Sequence, residues 1–315
     1  RQVVVQTAPH IGNTGVNGED FESRRIWVSG YVVRDPARIP SNWRSQRPLE
    51  QELSRQGVVG ISGVDTRAIT RHLRERGAMR CGISSSGANR DDLLAKVLAS
   101  PPMTGADLSA EVTTAEPYTV DAIGEHRFTV VALDYGIKSM TPHRMAERGI
   151  TSHVLPSTCT DDQVIASGAD AVFLANRPGD PATADEAVAT VRELLRREVP
   201  IFGICFGNQV LGRAYGFGTY KLGYGHRGIN QPVQDRVTGK VEITAHNHGF
   251  AVDAPLGGAT ETEFGAVEVS HVCLNDNVVE GLRARDARAF SVQYHPEAAA
   301  GPHDAAYLFY RLVEL

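Results

Sequence analysis

The sequence predicts an α/β protein: an N-terminal mixed α/β domain, then a domain built on a mostly parallel sheet flanked by helices. Three observations carry this. From residue 127 onward, apolar strand-like runs alternate with helical patterns, which implies a parallel sheet covered on both faces. The first third instead mixes short Val-, Ile-, Trp- and Tyr-rich runs with capped helices. Finally, 315 residues with 42% hydrophobic and 22% charged content suit two ordinary globular domains.

Taken in order, "RQVVVQ" and "RRIWVSGYVVR" read as strands, and "RPLEQELSRQG" as a helix ending at Gly57. "VVGISG" is a short strand. "VDTRAITRHLRERG" is a helix capped by Asp65 and stopped by Gly77. "RDDLLAKVLAS" is another helix, ended by Pro101 and Pro102. The first domain is assigned residues 1–115. Residues from 109 lose clear periodicity, and 116–126 read as a linker. In the second domain, 127–315, the strands are "FTVVALDYG", "ITSHVLP", "ADAVFLAN" and "VPIFGI". The helices between them are "KSMTPHRMAERG", "TDDQVIASG" and the amphipathic "DEAVATVRELLRRE". After Gly216 the chain is β-rich, in "KVEITAHNHGFAV", "GAVEVSHVCLN", "NVVEGLRAR" and "AFSVQYHPE", and it closes on a helix, "DAAYLFYRLVEL".

Several function classes are excluded. The net charge of −5, with acids and bases interspersed, argues against a nucleic-acid binder. The basic run "RHLRERGAMR" reads as a solvated helix face. No apolar run reaches transmembrane length. The four cysteines, Cys81, Cys159, Cys205 and Cys273, form no C-x-x-C pair, so neither a disulfide framework nor a zinc ribbon is expected, and a reducing, cytoplasmic setting fits. The chain opens without Met in mid-strand, which suggests further residues upstream.

Chemistry in an open parallel sheet sits at the carboxyl ends of strands. Cys205 lies at such an end in "VPIFGICFGNQVLG", between Gly203 and Gly207, in the G-x-C-x-G form of a nucleophile elbow. The helix that follows points its amide dipole at the sulfur and favours thiolate. The N–H of Phe206 is placed to stabilise an oxyanion. Taken alone, Cys205 also reads as a small core residue. A partner appears in "SVQYHPEA": His295 ends a strand, and Glu297, two residues on, points the same way to orient it as a base. The pairs His246, His248 and His271, Cys273 could collect around zinc on one sheet face. They read as readily as ordinary strand residues, and no metal is expected.

These residues resemble the class I glutamine amidotransferases, through "FGICFGNQ", "NRPGDP" and "QYHPEA". Within that group the chain is similar to the small-subunit family of carbamoyl-phosphate synthase, through "TAPHIGNTGVN", "VDTRAITRHLRERGA", "EVTTAEPY", "GHRGINQPV", "AHNHGFAV" and "GPHDAA". The resemblance implies an amidotransferase fold in 127–315 and a glutaminase. Cys205 would attack the side-chain amide of glutamine, His295 would move the protons, and Glu297 would orient His295. Gln209, Asn247, Gly249 and Phe250 would hold glutamine, with the backbone of Gly179 and Phe206 serving oxyanion and substrate. It further implies that this chain carries no cofactor. Ammonia would pass to a large synthetase subunit holding ATP, magnesium and bicarbonate, in arginine and pyrimidine biosynthesis. This chain has no G-x-x-x-x-G-K-[ST] loop of its own. Two departures stand out. The family has Gly where this chain has Arg177, and it has an upstream segment with a serine that reaches glutamine. If Arg177 needs positive φ it is strained; otherwise its side chain is expected in solvent. Either way the bulky cation is expected to hinder turnover. The alternative readings are a free-standing cysteine hydrolase of the same fold and a catalytically impaired structural or regulatory subunit.

Overall fold

The alternation along the chain becomes two units, residues 1–102 and 103–315. The computed structural model describes residues 2–7 and 10–315, so Arg1 of the first predicted strand and Ala8 and Pro9 of "TAPHIG" lie outside the described residues.

The first unit holds a parallel three-stranded sheet of β1 (Val3–Val5), β2 (Gly30–Val32) and β3 (Val59–Ile61), in that order. Its helices are α1 (Leu49–Arg55), α2 (Thr66–Arg76) and α3 (Arg90–Ala99). Asp65 caps α2 by accepting from the Ala68 N–H at 3.0 Å, and Gly77 ends the helix at φ 87°. The strand expected over 24–34 keeps only its last part. Ahead of it, Arg25 lies 3.9 Å over the Trp27 ring, so those side chains are spent on a local stack rather than a ladder.

The second unit opens with α4 (Ser109–Val112) and β4 (Tyr118–Val120). Residues 103–126, expected in the first domain and linker, therefore fold with the second unit: β4 pairs antiparallel with β6 (Ile150–Pro156). The remaining elements, in chain order, are β5 (Phe128–Asp134), α5 (Met140–Ala146), β6, α6 (Asp161–Ala166), β7 (Ala171–Leu174), α7 (Asp185–Arg196), β8 (Ile201–Ile204) and α8 (Phe206–Ala214), then β9 (Gly218–Asp235), β10 (Val241–Asp253), β11 (Ala259–Thr262), β12 (Gly265–Cys273), β13 (Val279–Ala284), β14 (Ala289–Val292) and α9 (Leu308–Val313). One sheet takes the order β10-β9-β12-β13-β14-β8-β7-β5-β6-β4, with β11 paired to β12. Its centre, β14-β8-β7-β5-β6, is parallel, and its outer strands are antiparallel.

Alternation along β5 fills both sides. Val131 and Leu133 pack with Val191, Leu194, Val210 and Leu211 of α7 and α8. Val130 and Ala132 pack with Phe173, Phe202, Phe309 and Leu312 on the face that α9 covers. Phe202 stacks on Phe290 at 4.4 Å, tying together β8 and β14, the strands that lead to Cys205 and His295. Among the described residues no helix is long and apolar enough to cross a membrane.

Candidate active site

The carboxyl ends of four adjacent parallel strands supply the site: Lys138 follows β5, Gly179 follows β7, Cys205 follows β8 and His295 follows β14. Cys205 is 5% exposed and sits at φ 56°, ψ −101°, a conformation an L-residue adopts only when its surroundings enforce it. Its N–H donates to Val292 O at 2.8 Å and anchors the turn to β14. The flanking glycines are required by close approach. A Cβ on Gly203 would meet the Gly207 carbonyl at 2.7 Å, and one on Gly207 would meet Leu174 O at 2.2 Å.

His295, the expected base, stands alongside. The His295 N–H donates to Ala245 O at 2.9 Å, and its Nδ1 lies 2.8 Å from Glu297 Oε1. Nδ1–H therefore donates to the carboxylate, and Nε2 is the nitrogen free to serve Cys205. Burial by itself would lower the His295 pKa. The Glu297 charge and the neighbouring Cys205, through charge and a hydrogen bond, outweigh it and carry it up to about 10. For Glu297, burial acts to raise the pKa, but His295 and Lys138 hold it down at about 2. Lys138 Nζ is 3.2 Å from Glu297 Oε1. Lys138 was missed in the sequence; its only signal there is a cation just past a strand end in "LDYGIK".

Gly179 sits at φ 102°, and a Cβ there would lie 2.6 Å from Ala106 O, so both dihedral and space demand glycine. Arg177 departs from both expectations. It is absent from the residues at positive φ, and its side chain is only 3% exposed rather than in solvent. Its guanidinium lies 4.6 Å over the Phe206 ring, with Nη2 donating to Asp107 Oδ1 at 2.7 Å and Thr183 Oγ1 at 3.0 Å. The arginine thus clamps the residue that follows the cysteine.

Gln209 is buried, and Nε2 donates to Phe250 O at 2.9 Å and Gln293 Oε1 at 3.1 Å. One proton braces β10 and the other holds Gln293 just past β14, so its carbonyl oxygen is the atom left to meet a ligand. Asn247 is exposed, whereas Phe250 is buried. The Cβ position of Gly249 is 3.5 Å from Arg227 Nη2 and 3.6 Å from Lys221 Nζ. These two cations, missed in the sequence, give that surface an affinity for an anionic group. The four residues considered for zinc are not brought together. His246 and His248 meet His226 and Glu280, while His271 pairs in register with Asp235 and bonds Ser270 at 2.9 Å.

The chain matches the family model for Glutamine amidotransferase class-I over residues 131–315, and that for Carbamoyl-phosphate synthase small chain, CPSase domain, over residues 1–83. It is 72% identical to the carbamoyl phosphate synthase small chain of Streptomyces coelicolor, covering 100% of this chain and 83% of that one. To the protein of the same name in Mycobacterium tuberculosis it is 59% identical, covering 100% and 86%. Among solved structures, a putative GMP synthase component from Thermoplasma acidophilum is similar with TM-score 0.50 at 16% identity, over 61% of this chain and 94% of that one, a likeness of fold.

Proposed function

The chain belongs to the carbamoyl phosphate synthase small chain family, and from that premise we propose that it hydrolyses glutamine to glutamate and delivers the ammonia for carbamoyl phosphate synthesis. The observation that carries this is Cys205 at positive φ on the elbow, backed by the His295–Glu297 hydrogen bond of 2.8 Å.

Cys205 gives its thiol proton to His295 Nε2, and the sulfur attacks the amide carbon of glutamine, so that a C–S bond forms as the carbonyl oxygen becomes an oxyanion. The N–H groups of Phe206 and Gly179 receive that charge. His295 Nε2 gives its proton to the departing nitrogen, and the C–N bond breaks to leave a thioester and ammonia. His295 then takes a proton from water as its oxygen attacks the thioester, glutamate leaves, and the proton returns to sulfur. Glu297 holds the imidazole in orientation through Nδ1, and Lys138 neutralises the outer side of that carboxylate. Gln209, Asn247, Gly249 and Phe250 hold the substrate, and Arg227 and Lys221 attract its α-carboxylate. Ammonia passes to a large synthetase subunit that supplies the ATP, magnesium and bicarbonate chemistry in the cytoplasm, for arginine and pyrimidine precursors.

The test is Cys205→Ser assembled with the large subunit. Carbamoyl phosphate formation from glutamine should fall by orders of magnitude, and formation from free ammonia should persist. Undiminished use of glutamine by the variant would refute the assignment.

A further inference from the structure

The face of β10 opposite Asn247 buries His246 and His248. His226 of β9 stands directly across the ladder from His248, and Glu280 of β13 reaches the same point. All four are at most 6% exposed. Their inner atoms converge. His226 Nδ1 is 3.0 Å from Glu280 Oε1, and His248 Nε2 is 3.5 Å from that oxygen. His246 Nδ1 is 3.6 Å from Glu280 Oε2 and 3.2 Å from His248 Nε2.

The outer nitrogens fix the tautomers. His248 Nδ1 lies 2.9 Å from the Phe250 carbonyl, which only accepts, so Nδ1 carries the proton. The Thr244 hydroxyl donates to Gln231 O at 2.8 Å, so it accepts from His246 Nε2 at 2.7 Å. His226 Nε2 donates to Asp276 Oδ2 at 2.7 Å. His246 and His248 therefore turn lone pairs inward, whereas His226, held between the Glu280 and Asp276 carboxylates, keeps a proton on Nδ1 that an entering cation would displace. The lone pairs of His246 and His248 face one another at 3.2 Å with no hydrogen between them. Glu280 Oε2, fully buried, has no hydrogen-bond partner. Electron-rich atoms aimed at one dry point repel unless something positive sits among them.

Their spacing says what would fit. Bonds of about 2.0–2.1 Å to nitrogen and oxygen give a tetrahedral ion ligand-to-ligand edges of about 3.3–3.4 Å. The separations of 3.0 and 3.5 Å to Glu280 Oε1 and of 3.2 Å between His246 and His248 bracket that value, and the four donors all lie within 4.8 Å of one another. Outer partners that orient each imidazole are the usual second layer of a metal site. We propose that His226, His246, His248 and Glu280 form a closed four-coordinate site for a divalent transition cation, zinc above all, that ties β9, β10 and β13 together behind the substrate-facing edge of β10. Imidazole and carboxylate donors select zinc over magnesium or calcium, and Asp276 balances the added charge through His226.

The test uses the tag-free full-length chain with Cys205→Ala, so that the catalytic thiol cannot bind zinc. After chelator treatment the protein is reloaded with zinc alone, followed by elemental analysis, competition with a chromophoric chelator and X-ray absorption. The expected result is one zinc per chain with a nitrogen and oxygen shell rich in imidazole. Glu280→Gln and His246→Gln should weaken zinc by 100-fold or more, and Asp276→Asn by about 10–100-fold. Cys273→Ser should leave it unchanged, because the smaller grouping of His226, Cys273 and Asp276 is not the site. If a variant fails to fold, the absorption spectrum of the parent decides. Folded parent protein that takes up no stoichiometric zinc, sulfur in the metal shell, or zinc lost in Cys273→Ser would each overturn the proposal.

Discussion

Replacing Arg177 by glycine should lower glutaminase turnover, not raise it. The sequence makes the arginine look like an obstruction, but the inward clamp reverses the sign. Its ion pair reaches an Asp107 whose side chain is 56% exposed, so that contact is worth no more than about 1 kcal/mol. The buried guanidinium over the Phe206 ring adds about 0.5–2 kcal/mol. Together they come to about 2 kcal/mol, which lowers the melting temperature of a unit this size by about 4–8 °C. Catalysis should suffer because Phe206 is the proposed oxyanion donor. Loss of a whole donor costs about 10²–10³ in kcat, so a donor merely unbraced should cost about tenfold. Glutamate release, measured on the reconstituted complex at saturating glutamine, reads this directly. Arg177→Lys should fall between the two, since it keeps charge without the flat stacking surface. Wild-type or higher kcat in Arg177→Gly, at unchanged melting temperature, would refute the clamp.

His295→Asn should abolish thioester formation in single-turnover assays, whereas Glu297→Gln should leave measurable turnover, because it removes orientation and not the proton carrier. Gly207→Ala should cost about 3 kcal/mol and be visible as a lower melting temperature, since its Cβ would meet the Leu174 backbone oxygen at 2.2 Å. The raised His295 and lowered Glu297 pKa values make their pair stabilising with both ends charged. His295 contributes fully below its ordinary 6.5, and that contribution is lost as pH rises through about 10. Glu297 contributes fully above its ordinary 4.5, and that contribution is lost as pH falls through about 2. The melting-temperature gap between wild type and Glu297→Gln should therefore be widest between pH 4.5 and 6.5 and shrink on either side.

What the sequence reveals are features written in consecutive residues. The Asp65 cap, the Gly77 stop, the strand–helix alternation and the G-x-C-x-G elbow each depend on neighbours a few positions away. What it conceals depends on distant pairing. β4 is a three-residue edge strand that exists because β6 offers it a partner. β9, not assigned from the sequence, carries Gly218, Gly223, Gly225 and Gly228, a composition poor for a strand that holds because β10 lays a ladder along it. Arg177 reads as a surface cation because Asp107 and Phe206 are far away in sequence. Spacing at i, i+2 groups His246 with His248 correctly but cannot choose His226 and Glu280 over His271 and Cys273. That choice is made by strand order.

The nucleophile and base hang from neighbouring strands, with Ser291 opposite Gly203 and Val292 opposite Ile204, and with the Cys205 N–H bonded to Val292 O. The turn bearing the sulfur is thereby fixed by the sheet, whereas His295 stands three residues past the end of β14 and is held by its own N–H bond to Ala245 O. The placement of the two is therefore set from two sides, by the β8–β14 ladder beneath Cys205 and by β10 beneath His295.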